Sequence, residues 1–279
     1  MADTFGARVA AAVRATGPLC AGIDPSESLL DAWGLSDDAR GLRAFGATCV
    51  EAFAGTVGVV KPQVAFFERH GAAGMAELEI LVAAARAAGL VVINDAKRGD
   101  VDTTVRAYAD AWVGEASPLA ADALTVHAYL GLGALAPLIH LAAANGRGVI
   151  VVARSSNPEG RSLQQAITAE GASVEDMLLG EIAALNGSAE VPAGTVGAVI
   201  GATLPPTQFA LSQLGGPILA PGLGAQGAAP ADVAERFAGC APGTVLPSSS
   251  RGLLQHGPQP DELRRHAQSL VRALSAAMG

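Results

Sequence analysis

Lysine is almost missing from this chain. Sixteen of its eighteen basic residues are arginine, and only Lys61 and Lys97 are lysine. The two cations differ in shape, hydration and readiness to shift pKa, so a chain this biased keeps an ammonium where a guanidinium will not serve. Cysteine is scarce as well. Cys20, Cys49 and Cys240 are odd in number and far apart, with no C-x-x-C or Cys/His ligand spacing. That excludes a disulfide framework and a structural zinc, and fits small buried residues in a reducing compartment. Positive charge is in deficit, at a net −8, which argues against nucleic acid or an anionic membrane as partner. Any anionic ligand must be held by a local cluster. Aromatics are only 4% of a sequence that is 50% hydrophobic, leaving Ala, Val, Leu and Ile to build a core of helices on parallel strands. No stretch reads as a membrane span: residues 191–231 are free of charge, but Pro192, Pro205, Pro206, Pro217, Pro221 and many glycines forbid a spanning helix. The N-terminus carries Arg8 and Arg14 within its apolar periodicity and lacks a signal-peptide core. A soluble, cytoplasmic protein is expected.

What is present is a regular alternation of helix and strand. Asp3-Thr4 can cap a helix that Gly17-Pro18 stops, and Leu19 to Asp24 reads as the first strand. Further strands are expected at 57–61, 90–95, 123–127, 148–153, 195–201, 217–220 and 244–247, with helices at 37–54, 75–88, 102–114, 133–144, 174–186 and 262–277. The longest polar connection is Arg154 to Glu170. Eight parallel units without a linker-like break, in one domain spanning residues 1–279, predict a (β/α)8 barrel, the TIM-barrel architecture. A doubly wound open sheet fits less well, because eight units would make it unusually wide.

In such a barrel chemistry sits at the C-terminal ends of the strands, and those ends are where the charged residues fall. The stretch LVVINDAKRGD, Leu90 to Asp100, is an apolar run that closes in charged residues. Side chains two apart on an extended segment point the same way, so Asp95 and Lys97 face one side together. Lys61 ends the Val57 to Val60 run in the same manner, and Asp24 ends the first strand. His127 follows the fourth strand, and Ser155-Ser156-Asn157-Pro158 follows the fifth. The seventh strand opens into the glycine-rich 221–230 loop, and the eighth into Ser248-Ser249-Ser250-Arg251-Gly252. Loops after strands seven and eight commonly bind phosphate through backbone N–H groups, and Arg251, flanked by small residues, adds a bidentate donor.

An ammonium between carboxylates is held in its charged form. That disfavours a Schiff-base lysine, which needs a free amine, and favours a fixed cation and proton donor. It also competes with a metal ion for Asp95 and Asp100, so no metal and no cofactor is expected. A Schiff-base aldolase and a non-catalytic phosphate-binding protein remain as rivals on these residues.

The same residues carry a family resemblance. Asp95-Ala-Lys97-Arg-Gly-Asp100 is similar to the D-x-K-x-x-D signature of orotidine 5'-monophosphate decarboxylases. Gly22-Ile-Asp24-Pro25, the block Lys61-Pro-Gln-Val-Ala-Phe-Phe-Glu68, Ser156-Asn-Pro158, Pro221-Gly-Leu-Gly-Ala-Gln226-Gly227 and Ser250-Arg251-Gly252 resemble, in order, the other blocks of that family's longer bacterial group. The signature alone is shared with sugar-phosphate decarboxylases of the same suprafamily; the Lys61 block, Ser-Asn-Pro and Gln226 narrow it. Ser26 stands where that family commonly has histidine, and His127-Ala128 precedes Tyr129 where proline is expected.

The resemblance implies a cofactor-independent decarboxylase that turns orotidine 5'-monophosphate into uridine 5'-monophosphate in pyrimidine biosynthesis. By position, Asp24 and Lys61 would contact the ribose, and Lys61, Asp95, Lys97 and Asp100 would form a charged array. Asp95 would crowd the substrate carboxylate, and Lys97 would stabilise the C6 carbanion and protonate it. Ser156 and Gln226 would hold the pyrimidine, Gln226 also reaching the phosphate. Arg251 would bind the phosphate together with backbone at Pro221, Gly222, Gly224, Ser250 and Gly252, under a lid formed by the 221–230 loop. Asp100 and Thr104 would enter from the partner subunit of a homodimer with shared active sites.

Overall fold

The computed structural model describes residues 3–205, 207–224 and 227–279. Eight parallel strands close into a barrel in chain order: β1 (Cys20–Ile23), β2 (Val59–Pro62), β3 (Val91–Arg98), β4 (Ala123–Val126), β5 (Gly148–Arg154), β6 (Val196–Ile200), β7 (Ile218–Pro221) and β8 (Val245–Ser249). Closure is made by β8 against β1, where Cys20 and Ala21 pair with Ser248 and Ser249. The (β/α)8 barrel predicted from the alternation is therefore the fold observed.

Most of the outer ring follows the apolar periodicity: α1 (Phe5–Thr16), α3 (Ala39–Phe53), α5 (Gly71–Ala87), α6 (Asp102–Val113), α7 (Ala136–Ala144), α9 (Val174–Asn186) and α12 (Pro260–Met278), with the short α2 (Glu27–Ala32), α4 (Ala65–Glu68), α8 (Arg161–Gln164), α10 (Pro230–Arg236) and α11 (Arg251–Leu254) between them. None of these short helices is anticipated above, because one or two turns present too little of a 3.6-residue period to read. Thr4 caps α1, its hydroxyl accepting the Ala7 amide at 3.2 Å. Asp38 and Ser173 do the same for α3 and α9.

Burial divides into two layers. Between strands and helices lies a large aliphatic core that includes Leu42, Leu78, Val92, Leu124, Ile139, Val151, Ile182 and Leu263. Inside the barrel a smaller cluster stacks Cys20, Val59, Val91, Ile93, Ile150, Leu219 and Leu246. Its lower end is closed by α1, whose Phe5 and Val9 are wholly buried. The plug fits because position 148 is glycine, where a Cβ would lie 2.1 Å from the Phe5 ring. Arg8 holds the plug in place, pairing with buried Asp122 and donating to the Gly146 carbonyl at 2.9 Å. With the bottom sealed, the open end of the lumen is the C-terminal mouth. Cys20 and Cys49 are buried and all three cysteines are free thiols, Cys20 pushed up to about 12 by burial. Among the described residues no helix is long and apolar enough to cross a membrane.

Two boundaries move in ways that matter for the mouth. β3 does not stop at Asp95 but runs on to Arg98, through a register shift against β4 between Asn94 and Arg98. β8 reaches Ser249 rather than ending at Pro247, which carries Ser250 to the top of β1. There the glycine of β1 is needed: a Cβ on Gly22 would sit 1.8 Å from the Ser250 hydroxyl oxygen.

Candidate active site

The mouth holds a cavity of about 550 Å³. Its floor is apolar, formed by Val152, Val199 and Leu219, and its walls carry the predicted Asp24, Lys61, Asp95, Lys97, Ser156 and Arg251. Pro221, Gly222 and Ser250 also line it, at the ends of β7 and β8.

Asp95 is the centre of the charged array. Its Oδ2 accepts from Lys61 Nζ at 2.9 Å and its Oδ1 from Lys97 Nζ at 2.5 Å. Burial would raise the Asp95 pKa, but the two ammoniums outweigh it and hold the carboxyl well below the usual carboxylate range. For Lys61 burial acts downward and is again outweighed, by Asp95 and Asp24, so that its pKa lies above that of an ordinary lysine. Both groups are thus fixed in their charged forms. The chemistry this supports is that of a positioned cation beside a positioned anion, with Lys97 the more exposed of the two amines.

Lys97 reaches this place through an unusual backbone. It lies in the register shift of β3 with φ of 50°, in the left-handed region that residues with a Cβ rarely occupy. Thr125 of β4 is the neighbour that sequence reasoning missed: its buried hydroxyl donates to Asp95 Oδ1 at 2.8 Å and accepts the Lys97 amide at 3.1 Å. The only signal for it is a polar residue inside the apolar run Ala123–Val126. Gln63 was likewise missed; it lines the cavity and its side-chain amide donates to the Asp95 carbonyl at 3.3 Å.

The cap of α2 is Ser26, whose hydroxyl accepts the Leu29 amide at 3.3 Å, and not Asp24. Asp24 lines the cavity, and its Oδ1 is buried and without a hydrogen-bond partner among the described residues. Past the tip of the neighbouring β8, Arg251 is exposed at the start of α11 and has no ion-pair partner among the described residues.

The remaining predicted residues fall elsewhere. Asp100 does not line the cavity of its own chain; its Oδ1 accepts the Val101 amide at 2.8 Å at the rim. Thr104 lies on α6 in an open groove with Arg98, Tyr108 and Trp112, where the Arg98 guanidinium lies 5.1 Å from the Trp112 ring centre. Gly224 and Gly252 sit behind Arg251, in an adjoining hollow. Gln226, on the glycine-rich loop, lies outside the described residues. His127 stands on the rim, its backbone amide donating to the Arg98 carbonyl at 2.8 Å. Among the described residues no group of three or more His, Cys, Asp and Glu side chains converges as a metal site.

The family model for the orotidine 5'-phosphate decarboxylase / HUMPS family matches residues 17–266. The chain belongs to this family. It is 50% identical over 276 residues to the orotidine 5'-phosphate decarboxylase of Salinispora tropica, covering 99% of each chain, and 49% identical to that of Streptomyces coelicolor over the same share. Among solved structures, a candidate orotidine 5'-phosphate decarboxylase of Streptomyces avermitilis superposes with a TM-score of 0.92 at 50% identity, covering 99% of this chain and 96% of that one. The Leishmania donovani OMP decarboxylase superposes with a TM-score of 0.77 at 25% identity, over 99% of this chain and 98% of that one. The barrel is thus the fold of that family.

Proposed function

We propose that this chain converts orotidine 5'-monophosphate to uridine 5'-monophosphate and CO2 without a metal or organic cofactor, as a cytoplasmic enzyme of pyrimidine biosynthesis. The observation that carries the reading is the Lys61, Asp95, Lys97 array at the β2 and β3 tips, two ammoniums on one buried carboxylate. The C6–carboxylate bond breaks and its electron pair stays on C6, where the ring offers no electron sink. Lys97 Nζ supplies the neighbouring positive charge and then the proton that C6 takes up; CO2 leaves, and the amine is reprotonated from solvent. Asp95, already ionised, faces the departing carboxylate and disfavours its bound ground state.

Magnitudes show why the rest of the mouth is needed. One cation at ~4 Å contributes roughly 4 kcal/mol at an effective dielectric near 20, while enzymes typically supply about 8 to 23 kcal/mol. Binding at the non-reacting end must provide the difference. Arg251 and the backbone around Pro221, Gly222, Gly224, Ser250 and Gly252 would grip the phosphate. Asp24 and Lys61 would take the ribose, and Ser156 and Gln226 the pyrimidine. The places of Asp24 and Arg251 on the cavity wall, neither of them with an ion-pair partner among the described residues, support this division. Asp100 and Thr104, absent from the cavity of their own chain, would complete the site of a second copy in a homodimer.

The test is loss of substrate absorbance on adding orotidine 5'-monophosphate in the presence of EDTA. Undiminished turnover is expected. No turnover, or turnover abolished by EDTA, would overturn the cofactor-free reading.

A further inference from the structure

We propose that Thr125 is a positioning residue for decarboxylation, holding the Asp95 carboxylate and the Lys97 backbone in their working geometry through one hydroxyl. The inference rests on the decarboxylase reading above and adds to it a residue that touches no substrate.

The pairing of β3 with β4 carries the argument. Asn94 pairs with Leu124 and Arg98 with Val126. Three residues of β3, Asp95, Ala96 and Lys97, therefore stand opposite one residue of β4, Thr125. A bulge of this kind breaks the ladder and leaves backbone groups in search of partners. Thr125 supplies one, since its Oγ1 accepts the Lys97 N–H at 3.1 Å. The same oxygen donates its own hydrogen to Asp95 Oδ1 at 2.8 Å. A hydroxyl has the single donor and free lone pair for both tasks; valine, its nearest isostere, has neither. Lys97 needs such a hold because its φ of 50° is disfavoured for a residue with a Cβ. Asp95 needs it because Oδ1 also receives the Lys97 ammonium, so a third contact is required to fix the plane of the carboxylate. Thr125 is fully buried in β4, an element otherwise apolar, and its hydroxyl is thus placed there for its neighbours and not for solvent.

The test compares wild type, Thr125→Val and Thr125→Ser by single-turnover decarboxylation rate and by calorimetric affinity for uridine 5'-monophosphate. Loss of one hydrogen bond to a charged group predicts a fall of roughly 10- to 100-fold in rate for Thr125→Val. Product affinity should stay within about threefold, and Thr125→Ser should recover the rate to within about threefold of wild type, since binding and chemistry are separable. A valine variant as fast as wild type overturns the proposal, as does a serine variant as slow as valine, or a loss of product affinity in proportion to the rate. If the valine variant does not fold, Thr125→Ser against Thr125→Cys reads the same contrast of hydroxyl with none. An inactive wild type would refute the decarboxylase reading itself, whereas an active wild type with indifferent variants refutes only the role of Thr125.

Discussion

Replacing Asp95 by asparagine removes one charge and keeps the shape, and the structure gives the size of the effect on stability. Asp95 and Lys61 are 7% and 5% exposed, with Nζ and Oδ2 2.9 Å apart. At that separation the attraction is roughly 6 kcal/mol for an effective dielectric near 20, offset in the intact pair by several kcal/mol of desolvation for each ion. Removing one partner forfeits the attraction but leaves the other ion buried, which typically costs about 3 to 5 kcal/mol. Two features set the value at the lower end. Lys97 is more than a third exposed, and such a pair adds about 0 to 1 kcal/mol. Asp24 still faces Lys61 with an opposite charge. Asp95→Asn should therefore destabilise the fold by about 3 kcal/mol, read as a lower urea midpoint at equal protein concentration and unchanged slope.

The sign with pH is fixed too. Because the folded-state pKa of Asp95 is depressed, its contribution is fully present above the unfolded value of about 3.9 and is lost as pH falls through the folded value. The gap between wild type and variant should be constant from neutral pH to about pH 5 and close only below about pH 4. An asparagine variant with the wild-type midpoint, or a gap that persists unchanged well into acid, would refute the claim that an ionised Asp95 balances a buried lysine.

Other substitutions separate chemistry from anchoring. Lys97→Ala should abolish decarboxylation while uridine 5'-monophosphate, which lacks the reacting carboxylate, still binds; Arg251→Ala should raise KM strongly and weaken product binding. Equal loss of product affinity in the two variants, by calorimetry, would contradict that division. For the shared site, Lys97→Ala and Asp100→Ala homodimers should both be nearly dead, yet a mixed dimer gathers both lesions in one site and leaves the other intact. Random pairing makes about half the dimers mixed, so about a quarter of wild-type activity should return; purified mixed dimers that stay inactive would show that Asp100 acts within its own chain.

What could be read from the sequence was whatever repeats or stands at a strand end. The eight units, and helices such as α9, whose bounds of Val174 and Asn186 match the periodicity, follow from patterns many residues long. Asp24, Lys61, Asp95 and Lys97 could be collected into one mouth because a charge closing an apolar run marks the C-terminal tip of a buried strand. Thr125 could not. Its role depends on a three-against-one register between β3 and β4, and register is a relation between strands that neither run encodes alone. The continuation of β3 past Asp95 was hidden for the same reason, since the left-handed Lys97 is held by contacts from β4 and not by local preference. Gln63 belongs with these: its contact is to the Asp95 carbonyl on the adjacent strand.

The charges of the mouth divide into two sets, and the division bears on how the protein could be stable before any ligand arrives. Lys61, Asp95 and Lys97 satisfy one another, so the groups assigned to the chemical step are already paired and oriented in the free chain. Among the described residues Asp24 Oδ1 has no hydrogen-bond partner and Arg251 no ion-pair partner, one an acceptor and the other a forked donor, both placed past the neighbouring tips of β1 and β8 on the wall of the same cavity. An unsatisfied buried acceptor typically costs about 1 to 3 kcal/mol, a cost the fold carries at Asp24 in the free chain. A ligand with a hydroxyl at one point and a dianion at another would relieve both groups without disturbing the paired set. Binding affinity would then come from the open groups and rate from the closed ones, and that is why the Arg251 and Lys97 variants are expected to fail in different ways.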